Sequence, residues 1–403
     1  MFTNTQKCRA CGSTELIPVF NLGLQPLANS FRKTGEEHDG YAPLSVLYCP
    51  RCTLGQLSVV VKPEILYRDY KYVTSPSETM RRHFMSIFED IRAECPRLDC
   101  VVEIGSNDGL LLQFFQKMTG CSALGIEPAS NLATIASGKG IPTLNTFFSK
   151  ENVASLAGCK REIDLILARH VFCHVDDWKD FVAALESLCF KDTLVCIEAP
   201  YAVDTLARVE FDQVYHEHLS FLTIKSVKSL LRDTKLRLHK IVRYPIHGGS
   251  IMVMLRHVDS SIPMDQSVIE FLSKENVTLD SWNAFSETAN RNILSLRELI
   301  KDLADQGKSI AGFGASAKST VWINAAGLSP WLKFVTDTTE QKIGRYVPGT
   351  GIPVVHQSHL LSEQPDYAVV FAWNFLSEIL SSQQEYRNRG GKFIIPVPII
   401  EII

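Results

Sequence analysis

Residues 101–109 read VVEIGSNDG and run straight into LLLQFF. Two β-branched residues lead into Glu103, Gly105 and Gly109, so the stretch predicts strand, glycine-rich turn and helix. Gly105 permits a tight turn and a close ligand approach that any Cβ would block. A helix starting near Gly109 offers unpaired N–H groups and a positive dipole end to whatever occupies the turn. About twenty residues on, the run SALGIEP ends in Glu127, whose carboxylate can accept hydrogen bonds from both hydroxyls of a ribose. A nucleoside-bearing cofactor on a doubly wound α/β sheet is the expectation.

The pattern E-x-G-S-N-D-G lacks one glycine of the dinucleotide fingerprint and carries an acid ahead of the turn. Carboxylates at Glu103 and Asp108 suit a cationic, phosphate-free ligand better than a pyrophosphate. S-adenosylmethionine, with a sulfonium and an ammonium, fits. In open sheets ligands bind beyond the carboxyl ends of the strands. The candidate cofactor contacts are therefore Glu103, Gly105, Asn107, Asp108, Gly109, Glu127 and His170. A structural strand–turn–helix without a ligand is the bland alternative.

At 403 residues the chain is too long for one ordinary core, and two or three domains are expected. Hydrophobic content of 45% and charged content of 21% exclude a disordered chain. A net charge of −3 provides no field for nucleic acid or an anionic membrane. No apolar run is long enough to span a bilayer, and MFTNTQKCRAC lacks a signal core, so a cytoplasmic location is expected. Eleven cysteines in such a chain argue for thiols and metal ligands over disulfides. Nothing in the sequence sets an oligomeric state.

Cys8-Arg-Ala-Cys11 and Cys49-Pro-Arg-Cys52 are two C-x-x-C pairs. Four thiolates delivered by two short turns complete a closed, tetrahedral, structural zinc site. The strand-like pieces between them are too few to bury a core without such a staple. A nucleic-acid-binding ribbon is the functional alternative, and Glu36, Glu37 and Asp39 dilute its basic character. The tyrosines of 67–77 (YRDYKYVTSPS) read as packing at a domain junction, and Ser77 as the cap of a helix carrying Met80, Phe84, Ile87, Phe88 and Ile91.

Strand and helix patterns then alternate through IDLILARH, a helix over about 175–189, TLVCIEAP and a helix over about 223–232. Two strands joined at His247-Gly-Gly end the unit as a hairpin. A parallel sheet closed by an antiparallel hairpin is the pattern of a class I methyltransferase core. After a helical stretch over 264–306, SIAGFGASAKS begins a second Rossmann-like unit. Ala317 stands where a P-loop needs glycine, which excludes an NTPase, while Gly312, Gly314 and Ala317 match the dinucleotide pattern formally. Its turn, with Ser316 and Lys318, could cradle a diphosphate. A glycine bend that serves the fold alone is the other reading.

The segment FDQVYHEHLSF (211–221) concentrates a tyrosine, two histidines and a glutamate. If extended, Tyr215 and Glu217 share one face while His216 and His218 share the other. Histidine beside glutamate suits proton transfer, and no third metal ligand has suitable spacing. A satisfied polar patch is the bland reading.

Over essentially its whole length the sequence resembles the nucleotide-sugar C-methyltransferases of deoxysugar pathways, enzymes that methylate C3 of a 4-keto sugar nucleotide. CRAC, CPRC, LGLQPLANSF, KYVTSPS, EIGSNDG, CHVDD, FDQVYHEHLSF, IHGGS, GFGASAKST, DTTEQKIGRYVPGTGIPV and FAWN carry the resemblance in order. It implies that Tyr215, Glu217, His218, His174 and Tyr72 line the active site. It also implies a zinc module over 1–70, a methyltransferase domain over 71–258, and a sugar-nucleotide-binding domain over 259–403. Carbon acidity at C3 calls for a base there and a donor at the C4 oxygen. His218 is expected as base, Glu217 as its orienter or a sugar contact, and Tyr215, Tyr72 or His174 as the group polarising the ketone. Ser316, Lys318 and His247 are expected on the substrate side, and the zinc remote. An NAD-dependent sugar oxidoreductase or epimerase is disfavoured by the lack of a Y-x-x-x-K pair near either turn. The intact 215–218 cluster disfavours an inactive zinc-ribbon scaffold.

Overall fold

Val101 and Val102 of strand Cys100–Ile104 are buried on opposite faces, as a strand covered by helices on both sides requires. In the computed structural model, which describes all residues except 37–39, 68–69, 71–77, 158–161 and 247, this strand lies inside a seven-stranded sheet. Tyr72, Ser77 and His247 therefore lie outside the described residues.

From edge to edge that sheet runs Leu236–Tyr244, Ser250–His257, Leu194–Pro200, Leu165–Arg169, Cys100–Ile104, Ser122–Ile126 and Thr143–Leu144. The Ser250–His257 strand is antiparallel to both of its neighbours, and the other pairings are parallel. The hairpin thus closes the sheet by inserting its second strand inside the first, which is the class I methyltransferase order. Helix Glu78–Glu94 buries the expected stripe from Met80 to Ile91, and adds His83 to it. Asp177 caps Trp178–Leu188, and Thr223 caps Ile224–Leu230 through a reciprocal bond with Ser226.

The second α/β unit is a six-stranded sheet ordered Val354–His356, Leu332–Asp337, Ile310–Phe313, Tyr367–Val370, Lys392–Ile395 and Glu401–Ile402. Its pairings are parallel except at the last strand. The 264–306 stretch forms two helices, Gln266–Lys274 and Leu279–Asp305. No helix among the described residues is long and apolar enough to cross a membrane.

The N-terminal sheet is ordered Ser220–Phe221, Gly55–Leu57, Tyr41–Tyr48 and Ile17–Pro26. Its outermost strand comes from the middle of the chain, shortly after His218. The module also shares its apolar core with the second α/β unit: Phe20 packs on Phe211 and Phe285, and Phe211 packs on Trp322 with ring centroids 4.3 Å apart. A module too small to bury a core of its own is completed by the chain it serves. The module thus packs directly against the segment that carries His218.

Candidate active site

At the end of Cys100–Ile104 the chain turns through Gly105 (φ +64°), Asn107 (φ +52°) and Gly109 (φ +77°) into helix Leu110–Thr119. A Cβ at residue 105 would strike the Val171 side chain, so packing as well as torsion requires glycine there. Glu127 accepts N–H bonds from Asn107 (2.8 Å) and Ala129 (2.9 Å), so it braces the turn in addition to offering its remaining lone pairs. Asp108 pairs with Lys139 at 2.6 Å, and Glu103 with Arg169 at 3.5 Å. Burial pushes the Glu103 carboxyl up to about 7, against the pull of Arg169. Glu103 Oε2 and Asp108 Oδ1 are buried without a hydrogen-bond partner among the described residues. Lys139 and Arg169 are each engaged by an acid already. A carboxylate-rich set with unused acceptors fits a sulfonium-bearing nucleoside and not a pyrophosphate.

His170 (φ +52°) follows the Leu165–Arg169 strand and donates its N–H to the Glu198 carbonyl at 2.7 Å. The Glu198 side chain, fully buried, meets His83 Nε2 at 2.7 Å, His170 Nε2 at 3.6 Å and Arg169 Nη1 at 3.8 Å. Burial pushes its carboxyl up, but His170 and His83 outweigh that and hold it well below the usual carboxylate range.

Ligand atoms of Cys8, Cys11, Cys49 and Cys52 lie within 4.8 Å of one another, with sulfur pairs at 3.4 Å (Cys8–Cys52) and 3.5 Å (Cys11–Cys49). Hydrogen bonds from Cys52 and Cys8 hold Cys49 down at about 2, and the bonds to Cys49 push Cys8 and Cys52 up. Four converging sulfurs competing for protons fit a closed four-cysteine zinc centre, which takes them all as thiolates.

The 211–221 segment is not extended. Phe211–Gln213 is a single 3-10 turn, and the His218 N–H bonds back to the Tyr215 carbonyl at 2.9 Å. Tyr215 and His218 therefore face each other, with ring centroids 3.9 Å apart and the hydroxyl 2.6 Å from Nε2. His216 points the other way, to the Ala42 carbonyl at 3.3 Å. Nδ1 of His218 lies 2.8 Å from the Gln213 carbonyl, which can only accept, so Nδ1 carries the proton and Nε2 is bare. Burial, then the neighbouring His174, pushes the His218 pKa well below its usual value, so the ring is neutral. Glu217 does not orient it: Oε1 accepts from Asn29 Nδ2 at 2.9 Å, and Oε2 has no hydrogen-bond partner among the described residues.

His174 stands 5.3 Å from His218 between ring centroids and stacks on Tyr67 at 5.8 Å. Burial pushes it down to about 3. The ligand atoms of Cys173 and the two histidines lie within 4.8 Å of one another, with Cys173 and His218 buried and His174 half-buried. Cys173 is a third neighbour that spacing in the sequence did not reveal.

On the far wall, Lys318 lies 3.9 Å above the Trp373 ring and 3.4 Å from Asn374 Oδ1, which gives the FAWN stretch its place. Burial pushes the ammonium pKa down, and Asp212 and Glu210 pull it back. Asp212 itself is held by the indole N–H groups of Trp322 (3.1 Å) and Trp373 (2.7 Å). The Ser316 hydroxyl accepts the Ser319 N–H at 3.3 Å and caps helix Ala317–Ala325. Lys318 therefore faces the 211–221 segment, while the Ser316 hydroxyl is engaged by its own helix.

Three family models match consecutive stretches: a zinc binding domain over residues 8–67, a methyltransferase domain over 77–241, and a C-methyltransferase C-terminal domain over 245–398. The chain is 32% identical to the C-methyltransferase NovU of Streptomyces niveus over 98% of this chain and 96% of that protein. The chain belongs to the C-methyltransferase family. It is a methyltransferase that uses S-adenosylmethionine and carries a zinc module. Among solved structures it is similar to an S-adenosylmethionine-dependent methyltransferase of Clostridium acetobutylicum (13% identity, 44% of this chain, 91% of that chain, TM-score 0.36). Another is a methyltransferase of Thermotoga maritima (16% identity, 44% of this chain, 89% of that chain, TM-score 0.34).

In this C-methyltransferase several residues at the site escaped sequence reasoning. His83 was hidden inside an amphipathic stripe, and Asn29 and Gln213 lie within the LGLQPLANSF and 211–221 stretches without being singled out there. Tyr67 read as packing, yet it stacks on His174 and donates its hydroxyl to the Glu217 carbonyl at 3.4 Å. Glu198, by contrast, is singled out by the sequence itself, since residues 198–201 stand at the carboxyl end of a strand, where ligands bind.

Proposed function

We propose that this C-methyltransferase methylates C3 of a nucleotide-linked 4-keto-6-deoxy sugar, with His218 as the base. The observation that carries this reading is the bare Nε2 of His218, fixed by the Gln213 carbonyl and capped by the Tyr215 hydroxyl. A C3 proton is acidic because the C4 ketone can take the charge as an enolate. His218 Nε2 receives that proton, and the C3–H electron pair passes into the enolate. The ketone oxygen competes for the Tyr215 hydroxyl, and winning it both polarises the carbonyl and frees Nε2. Burial pushes the Tyr215 pKa well above 10, so the hydroxyl stays a donor. His174, neutral beside it, serves as a second donor or contact, and Glu217 with Asn29 positions a sugar hydroxyl. When bound, S-adenosylmethionine supplies an electrophilic methyl whose transfer to C3 leaves a neutral thioether.

Glu103, Gly105, Asn107, Asp108, Gly109, Glu127 and His170 form the cofactor side. Lys318 and the main chain around Gly314 and Ser316 face the diphosphate end. The work divides among a zinc module (1–70), a methyltransferase unit (71–258) and a sugar-nucleotide unit (259–403). Incubating the enzyme with a panel of 4-keto-6-deoxy sugar nucleotides, followed by mass spectrometry, tests this. The expected result is one added methyl with loss of a C3 deuterium label; methyl transfer that retains that label would overturn it.

A further inference from the structure

Arg9 stands between two zinc ligands, Cys8 and Cys11, but its side chain leaves the knuckle for the catalytic centre. It is 7% exposed. Its main-chain N–H donates to Gln56 Oε1 at 3.0 Å, and the Gln56 amide donates to the Lys7 carbonyl at 3.1 Å. Its guanidinium then spreads over three acceptors: Asp176 Oδ1 (3.0 Å from Nε), the Leu219 carbonyl (3.2 Å from Nη1) and Thr5 Oγ1 (3.3 Å from Nη2). Asp176 follows His174 by two residues, and Leu219 follows His218 directly. The same Leu219 carbonyl accepts the Leu57 N–H at 3.0 Å, which together with the Ser220–Gln56 and Phe221–Gly55 pairing registers the 211–221 segment on the zinc-module sheet.

We propose that Arg9 is a positioning residue, a rigid strut from the zinc knuckle that fixes the His174 and His218 rings relative to each other. The proposal rests on the reading of His218 as base. A planar guanidinium presents donors at fixed angles and can hold two acceptors at once, which a single ammonium cannot. The His174-bearing segment follows a strand of the seven-stranded sheet and the His218-bearing segment leads into a strand of the N-terminal sheet, and Arg9 bonds to both. Without it, the Leu219 carbonyl keeps the Leu57 bond alone, and Asp176, with 54% of its side chain exposed, turns to solvent. The zinc ion thereby acts on catalysis through geometry and not through chemistry.

Arg9→Ala, Arg9→Lys and Asp176→Asn test the strut, each assayed for bound zinc, S-adenosylmethionine affinity, kcat and KM. A fourth readout is the rate at which His174 and His218 are acylated by diethyl pyrocarbonate, mapped by mass spectrometry. Both Arg9 variants should keep zinc and cofactor affinity while kcat falls about 10²-fold at little-changed KM, the cost of misplacing a group by an ångström. Added guanidinium ion should restore part of the Arg9→Ala loss. Asp176→Asn, which leaves the knuckle untouched, should lower kcat on the order of ten-fold. Both histidines should acylate faster in all three variants. Zinc-loaded Arg9→Ala with wild-type kcat and acylation rates overturns the proposal. If Arg9→Ala loses zinc or fails to fold, Asp176→Asn decides, and wild-type values there overturn it. Acylation needs no substrate, so failure of the strut is distinguishable from failure of the base reading, which full activity in His218→Ala would reveal.

Discussion

The Tyr215 hydroxyl lies 2.6 Å from Nε2 of His218 and donates to it, because the opposite ring nitrogen is committed to the Gln213 carbonyl. Under the proposed function, a ketone that takes this hydroxyl is polarised in the same motion that exposes Nε2. Tyr215→Phe should therefore lower kcat about 10²–10³-fold, as expected for loss of one donor to a developing oxyanion. Calorimetric affinity for S-adenosylmethionine should not change.

In the proposed reaction, His218→Ala removes the atom that receives the proton. Turnover should fall about 10²–10⁴-fold while cofactor binding persists. Exchange of the substrate C3 proton with solvent deuterium in the absence of cofactor, followed by NMR, should stop as well. Wild-type exchange in this variant would remove His218 as the base.

The pH dependence follows from burial. His218 is held well below, and His174 at about 3 against, the ordinary histidine value of 6.5. In the proposed reaction the form active as a base is neutral, so the acid limb of kcat/KM should lie below pH 6.5. Stability has the same sign. Between pH 6.5 and about 3 the unfolded chain protonates a histidine that the fold keeps neutral, so the unfolded state binds more protons. Stability should therefore decline as pH falls through that window, read by denaturant midpoints at successive pH values.

Chelation of zinc should cost turnover as well as stability, since the Leu57 N–H of the zinc-module sheet bonds the carbonyl next to His218. Hydrogen exchange at the Leu57 amide should accelerate in step with the loss of methyl transfer on metal removal. An unchanged turnover in zinc-free protein would contradict this coupling.

Phe211 is fully buried where the N-terminal sheet, the 211–221 segment and the second α/β unit meet. Phe211→Ala should cost about 3–5 kcal/mol by combining lost burial with a cavity. Because three parts of the chain share this core, denaturant melts followed by fluorescence and by zinc release should shift together.

Much of the architecture was readable in local spacing. The strand–glycine–helix run at 101–119, the stripe from Met80 to Ile91, the hairpin that ends the first sheet and the paired cysteines are short-range patterns. Each fixes backbone torsion, an apolar face or a ligand set within a few residues. The residue types that could carry chemistry were readable, but their geometry was not. Glu217 adjoins His218 in sequence and does not orient it, while Gln213, five positions away, does.

What the sequence by itself determined is therefore the chemistry on offer: a cofactor turn lined with acids, four thiolates, and a Tyr-His-Glu-His cluster. Which nitrogen of His218 is bare, which acid Arg169 and His83 lie against, and how the zinc knuckle reaches the His218 segment were decided by tertiary structure alone. The reason is distance along the chain. The Arg9–Leu219 bond joins residues 210 positions apart. A partner that remote is chosen by the packing of whole elements, and no local periodicity encodes it.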